Sequence, residues 1–505
     1  EFIAGTSETI TTVDTTLDGD IEVRFVNDGD TEVGNRDLTV DHVLVDGQRF
    51  DAEAPTTVAT GYWDDDSEAC GTDPSTPEVD TLLCNGGFRF ATIADGAVVV
   101  AEVPTASAAV LLPASARFVA ADGDDANPGT RDAPWATIQH AVDLAEPGEA
   151  VVVRGGTYDE SVVIERSGEA GAPIEIRNHP GERPLVRALD GPGFHIQSPD
   201  APIPSLGPGQ RLAARPVAHV VVRGFELAGE GNQSSKGWAS GVTIDYAHDI
   251  RILDHVIHGF PGGGVSSNQS DNLLVEGNRI ESVGGLGLTQ YSGLSAYQSV
   301  LRGGPDIEPG FRIVFRDNVV SEVRTDLTTA GKQFGPDYRS VSDPDDRADD
   351  AGSDGHYTDA NCVIIDDGRH TQSSPFDPYT GWSLIESNRC TANMGRGIHV
   401  FVSDRVVARA NTLRRNLAAN RLFPLPVPFG FDPWEDYRWT GELNVSRSGE
   451  VRFENNLVDS DGAYDRNSWE STDVVFEDNR YVGDVIDTSF SDGAEFRGET
   501  TIIED

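Results

Sequence analysis

Short apolar alternations recur along residues 240–480 at a nearly constant interval. Val242-Thr243-Ile244 leads into Ile250-Arg251-Ile252-Leu253, and 22 residues after Gly241 the pattern restarts at Gly263 and runs into Leu273-Leu274-Val275. It returns at Phe311–Val320, Trp382–Arg389, Val406–Leu413, Val451–Val458 and Val474–Tyr481, with Asn near one corner of most repeats. Strands of three to five residues at this period are too short for helical repeats and predict the coils of a parallel β-helix, with corner Asn side chains hydrogen-bonding up the stack. Ahead of the repeats, Trp135, Ile138, Val142 and Ala145 recur at helical spacing between Pro134 and Pro147-Gly148. They predict a short amphipathic helix capping the solenoid, with a strand at Ala150–Arg154 directly after it.

Residues 1–90 carry a different pattern. Ile21–Val26, Leu38–Val45 and Gly87–Phe90 alternate with period two between Asn-Asp-Gly and Asp-Gly turns, which predicts antiparallel strands and a small β-sandwich. The expected organisation is therefore all-β: a sandwich over 1–100, a linker over 101–116 and a parallel β-helix over 117–505.

Charge and composition narrow the function. The chain has 505 residues and a formal net charge of −46, with 84 acidic against 38 basic residues. That balance argues against nucleic acid as a partner, since a phosphate backbone selects a basic face. No apolar run approaches the ~20 residues that span a bilayer, so no membrane span is expected. Two of the basic residues are Lys (Lys236 and Lys332) and 36 are Arg. Adaptation to salt and a codon bias toward Arg both account for this. Cys70/Cys84 and Cys362/Cys390 form two close pairs, read as two disulfides of a secreted monomer or, for the second pair, as buried thiols.

The segment opening Asp122-Gly123-Asp124-Asp125, continuing through Ala136-Thr137-Ile138-Gln139 and Gly155-Gly156-Thr157-Tyr158, together with the later coils, resembles the right-handed parallel β-helix superfamily of polysaccharide lyases and glycoside hydrolases. The resemblance implies a polysaccharide substrate. The stretch Ile21–Asp46, Thr60–Trp63 and Cys70–Cys84 resembles calcium-dependent xylan-binding modules. That similarity implies Ca2+ held by a loop that also takes sugar hydroxyls, with Asp64, Asp65 and Asp66 as ligands beside a stacking Trp63. Oxygen-rich ligation of this kind suits a hard cation, although a solvated acidic loop closed by Cys70–Cys84 fits the same residues.

In the solenoid, alternation assigns inward and outward residues. It sets Asp245, Asn268, Asp366, His399, Glu442 and Asn444 on one outer face, a row suited to a polymeric sugar. Two insertions are expected to overhang it. Residues 325–361 bring Lys332, Tyr338, Arg339 and many Asp, and 421–440 bring Trp434 and Trp439 among other aromatics suited to sugar stacking. Asp359, Asp366-Asp367 and Gly397-Ile398-His399 resemble, in order but not in spacing, the Asp…Asp-Asp…Gly-His set of polygalacturonase-type inverting hydrolases. This implies a carboxylic acid and a carboxylate among Asp359, Asp366 and Asp367, with Arg396 and His399 orienting them. Such a pair flanks the scissile bond about 6.5–9.5 Å apart. Asp366-Asp367 reads equally as a calcium site or as the turn closing its strand. The other reactions open to these residues are calcium-dependent β-elimination, with Lys332 as base and Arg339 as neutraliser, and sugar binding without catalysis.

Overall fold

The computed structural model divides into two compact units, Glu1–Leu112 and Pro113–Asp505. It describes residues 116–199, 215–230, 239–284, 291–302, 304–324, 360–372, 376–416, 441–461, 464–485, 487 and 494–502, together with the backbone strands of the first unit. In that unit the strands pair antiparallel. Gly86–Ile93 lies between Gly19–Phe25 and Thr57–Thr60, and Val99–Glu102 between Ile10–Val13 and His42–Val45.

The second unit is a solenoid of three parallel sheets, which among the described residues hold twelve, eleven and nine strands. One coil shows how they alternate. Val242–Asp245 lies in the third sheet, Ala247–Leu253 in the first and Val256–His258 in the second, and the chain re-enters the third sheet at Val265–Asn268. Val242 pairs with Val265 and Asp245 with Asn268, a step of 23 residues. The expected cap is present as the helix Ile138–Leu144, which buries Ile138, Ala141 and Val142. Thr137 caps it by accepting the His140 N–H, and the Glu160 carboxylate accepts the N–H groups of Ile138 and Gln139. The strand after the cap is Ala150–Val153.

Alternation places one side chain in two inside. In the third sheet Phe194, Val242, Val265, Leu294, Val363, Ile398 and Leu443 stack in register and are almost fully buried. Burying each such side chain contributes about 1.5–3 kcal/mol. Cys362 and Cys390 are bonded, with Cα atoms 5.6 Å apart, and tie the start of one third-sheet strand to a second-sheet strand across this core.

The corner between the first and second sheets is closed by an asparagine ladder. Asn278, Asn318, Asn388, Asn411, Asn456 and Asn479 are buried, and each side-chain oxygen from Asn318 onward accepts both the backbone N–H and the side-chain amide of the Asn one coil earlier, at 2.8–3.0 Å. Each of these Asn follows a residue in the left-handed region, such as Gly277, Asp317, Ser387 or Ala410. That conformation turns the chain through the corner and exposes N–H groups that the ladder then satisfies. Asn388→Ala leaves the donors of Asn318 and the Phe315 carbonyl without their partner. At about 1–3 kcal/mol for each unsatisfied buried group, the variant is expected to lose about 3 kcal/mol in urea unfolding. A loss below ~1 kcal/mol would mean that the ladder does not hold the corner.

Candidate functional site

Two outer faces of the solenoid differ in chemistry. On the first sheet Leu274, Val314, Leu384 and Val407 form a buried apolar row, packed against Phe311 and Trp382. That face is closed by its own hydrophobic layer. On the third sheet the outward side chains make two polar rows. One runs His195, Thr243, Ser266, Ser295, Ile364, His399, Asn444 and Asn467; the other runs Gln197, Asp245, Asn268, Tyr297, Asp366, Phe401, Ser446 and Trp469. His195, Ser266, Asn268, Ser295, Tyr297 and Asp366 are half-buried, with Thr243 and Asp245 buried between them, so the earlier coils present a partly accessible polar face, the groove. Farther along, Ile364, His399, Asn444 and Asn467 are buried.

Most of the face predicted from alternation is where it was expected: Asp245, Asn268, Asp366, His399 and Asn444 all lie on these rows. Glu442 does not. It precedes its strand, is fully buried, and accepts the backbone and side-chain N–H groups of Asn416, each at 2.7 Å. There it ends a second corner ladder that begins with Asn393. Burial pushes its carboxyl up to about 8, against the pull of the Asn416 hydrogen bonds.

Asp366 and Asp367 separate at the strand end. Asp366 points to the groove beside Tyr297, whose hydroxyl is raised above its usual range by burial and then by the charges of Asp366 and Asp367. Asp367 has a φ of 47° and is fully buried. Its carboxylate accepts from Gln298 Nε2, from the Thr371 N–H and hydroxyl, and from the Gln372 N–H at 2.7–3.0 Å. It is the turn-closing carboxylate, and the two acids do not form a proton-sharing pair in the groove. The carboxylate preceding Asp366 along its row, Asp245, is three coils away, or about 14 Å at ~4.8 Å per coil, beyond the spacing of a hydrolytic pair.

His399 lies diagonal to Asp366, one coil on. Its ring is buried, neither nitrogen has a hydrogen-bond partner, and burial followed by the Arg396 charge holds it well below the usual histidine range. It is therefore a neutral ring. Arg396 is buried immediately before this strand, and its backbone N–H donates to Asn361 at 3.0 Å.

The remaining expected site residues lie outside the described residues: Asp359, Lys332, Tyr338, Arg339, Trp434, Trp439, and the side chains of Trp63, Asp64, Asp65, Asp66, Cys70 and Cys84. Among the described residues no three His, Cys, Asp or Glu side chains gather to hold a metal ion. Asp245, a carboxylate facing the groove, has its oxygens engaged by His195 at 2.7 Å and Asn268 at 2.6 Å. In the described part of the groove the Asp245 carboxylate is therefore already held on both oxygens.

His195 was missed in the sequence. The alternation Phe194-His195-Ile196-Gln197 after Gly193 carried the same signal as the later strands, but residues 198–216 interrupt the repeat and hide its register.

Part of the solenoid is similar to known proteins. Residues 117–283, which build the cap and the first coils, match the family described as Pel9A-like, right handed beta helix region. Pectate lyase PEL9 of Emericella nidulans is 41% identical over 78 residues, 15% of this chain and 19% of that protein. The uncharacterized protein YwoF of Bacillus subtilis is 38% identical over 69 residues, 14% of this chain and 15% of that one. The chain thus matches less than a fifth of the length of these curated relatives. The crystal structure of pectate lyase Pel9A is 12% identical, with a TM-score of 0.39 and 77% of each chain covered. Over residues 117–283 the solenoid therefore carries a Pel9A-like right-handed β-helix region.

Proposed function

We propose that the protein is a secreted polysaccharide lyase that cleaves a uronate-containing polymer by β-elimination in the groove on the third sheet. The observation that carries this reading is that the segment matching the Pel9A-like family supplies the groove strands Phe194–Gln197, Val242–Asp245 and Val265–Asn268, with their outward His195, Asp245 and Asn268. The identity of one segment with a pectate lyase supports it further. Elimination removes the proton on C5 of the uronate, forms the C4–C5 double bond and expels the glycosidic oxygen from C4. The chain must therefore supply a base and cations for the uronate carboxylate. A net charge of −46 opposes a polyanion, so those cations have to be local; Arg396, Lys332 and Arg339 are the proposed ones. Tyr338, Trp434 and Trp439 are proposed to stack on the sugars. The first unit is proposed as a calcium-dependent glycan-binding module acting through Trp63, Asp64, Asp65 and Asp66 on xylan or a related plant polymer. Calcium enters the proposal only there. The enzyme is taken to act as a monomer. Among the described residues no helix is long and apolar enough to cross a membrane.

The test is incubation with polygalacturonate, alginate and xylan, with calcium and with EDTA, following reducing ends and the ultraviolet absorbance of unsaturated uronates. Both signals together are expected. Reducing ends without unsaturation would replace elimination by hydrolysis and return attention to Asp366 and Asp359. Calcium-dependent retention on a polymer without either signal would make the protein a glycan binder.

A further inference from the structure

We propose that His195, oriented by Asp245 and Asn268, is the proton-accepting group of the groove; the assignment rests on the polysaccharide-cleaving reading above. The geometry is built across coils. Phe194 and Ile196 are buried in the core, which forces His195 outward. Its register partner one coil on is Thr243, and Asp245 stands two residues farther along the same strand. The imidazole reaches diagonally to Asp245, with Nε2 2.7 Å from Oδ2, while the other oxygen of Asp245 accepts from Asn268 Nδ2 at 2.6 Å. Asp245 is nearly buried, and the His195 ring keeps 23% of its side-chain surface exposed. A carboxylate held on both oxygens accepts a hydrogen bond from the Nε2–H, and this pairing places the lone pair on Nδ1. This is the arrangement in which a buried acid sets the tautomer of a catalytic base.

Histidines elsewhere in the solenoid show both patterns: His248 also sets one nitrogen on a carboxylate, Asp249, whose other oxygen accepts from Asn272, but on the first sheet and away from the groove, whereas His255 and His258 use both nitrogens. His255 occupies a corner ladder, is buried, and uses both nitrogens, Nδ1 accepting from Phe225 N–H and Nε2 donating to the Val222 carbonyl. His258 likewise engages both nitrogens, with Glu230 and Glu226. At His195 one nitrogen is bonded, to Asp245, and the half-buried ring faces the groove beside Thr243 and Asp245 one coil on. In the reaction, Nδ1 takes the C5 proton, the C–H electron pair forms the C4–C5 double bond, the C4–O bond breaks, the departing oxygen takes a proton from water, and the imidazolium gives its proton to the hydroxide left behind.

The experiment uses the full chain on the polymer that the wild type cleaves. His195→Ala is expected to lower kcat about 10²–10⁴-fold, the contribution of a positioned general base, with KM within about threefold and an unchanged unfolding midpoint. Added imidazole is expected to restore at least about tenfold of the loss. Asp245→Asn, which misorients the ring, is expected to lower kcat with little change in KM. A kcat of His195→Ala within threefold of the wild type, or a loss without imidazole rescue, overturns the assignment. If the wild type releases saturated ends only, elimination falls, and the same kcat comparison on reducing ends decides whether His195 activates water. A readout independent of turnover is the ring nitrogen NMR spectrum of His195, where the Nε2–H tautomer is expected and an Nδ1–H tautomer would refute the proposal.

Discussion

Asp271→Ala is expected to destabilise the solenoid by about 3–5 kcal/mol, the cost of leaving one partner of a buried ion pair uncompensated. Asp271 opens the strand Asp271–Glu276, directly after the groove strand that ends at Asn268, and is fully buried. Its carboxylate receives the Arg312 guanidinium through Nε at 3.0 and 3.1 Å and a terminal nitrogen at 2.6 Å. The Tyr379 hydroxyl and the Arg302 N–H donate to it as well, each at 2.7 Å. Hydrogen bonds to Asp271 hold Arg312 firmly protonated, so removing the acid takes the main buried partner from a guanidinium that is only 6% exposed and leaves it the more exposed Asp306 at 3.2 Å. The loss is read as the shift in urea midpoint followed by far-ultraviolet circular dichroism. Because three separate segments converge on this carboxylate, loosening of the neighbouring groove strand should accompany the loss, seen as faster amide exchange at Val265–Asn268. A midpoint unchanged within about 1 kcal/mol would show that water replaces the carboxylate and that the cluster is not a tether.

Glu442→Gln is expected to change stability in a pH-dependent way. The buried carboxyl of Glu442 is raised to about 8 in the folded chain against an ordinary value of 4.5. A raised folded value means that the folded state binds the proton more tightly than the unfolded one. The stability from this group is fully present below the unfolded value, declines as pH rises, and is lost once pH passes the folded value. At 1.36 kcal/mol per pH unit the decline amounts to roughly 3–5 kcal/mol between pH 5 and 8. Gln carries no charge to bury, and its oxygen can accept both Asn416 donors as the ladder asparagines do for one another. The variant should therefore match the wild type near pH 5 and exceed it near pH 8. The difference between the two proteins is the quantity to measure, since the other carboxylates titrate in both. Parallel midpoints across this range would sink the prediction.

Much of the fold was legible because its rules are local. In/out alternation needs only the pleat of a short strand, so Asp245, Asn268 and Asp366 fell on one outer face without any knowledge of their neighbours. Asn recurs at the corner because the turn there leaves the same N–H groups unsatisfied in each coil. The pairing of Cys362 with Cys390 followed from a separation near one coil. The rule stops where the strand stops. Asp367 and Glu442 flank strands, and corner conformation, not alternation, turned them inward.

Periodicity within a few residues was enough for the parallel β-helix, the capping helix and the polar outer face. Packing of one coil on the next separated the acids that face the groove, Asp245 and Asp366, from Asp367, which closes a turn. It also brought His195 to Asp245, 50 residues apart, as diagonal neighbours. The physical reason is that coil-to-coil register depends on the residues inserted between repeats. Residues 198–216 break the spacing of the repeat, so separation along the sequence no longer reports separation in space.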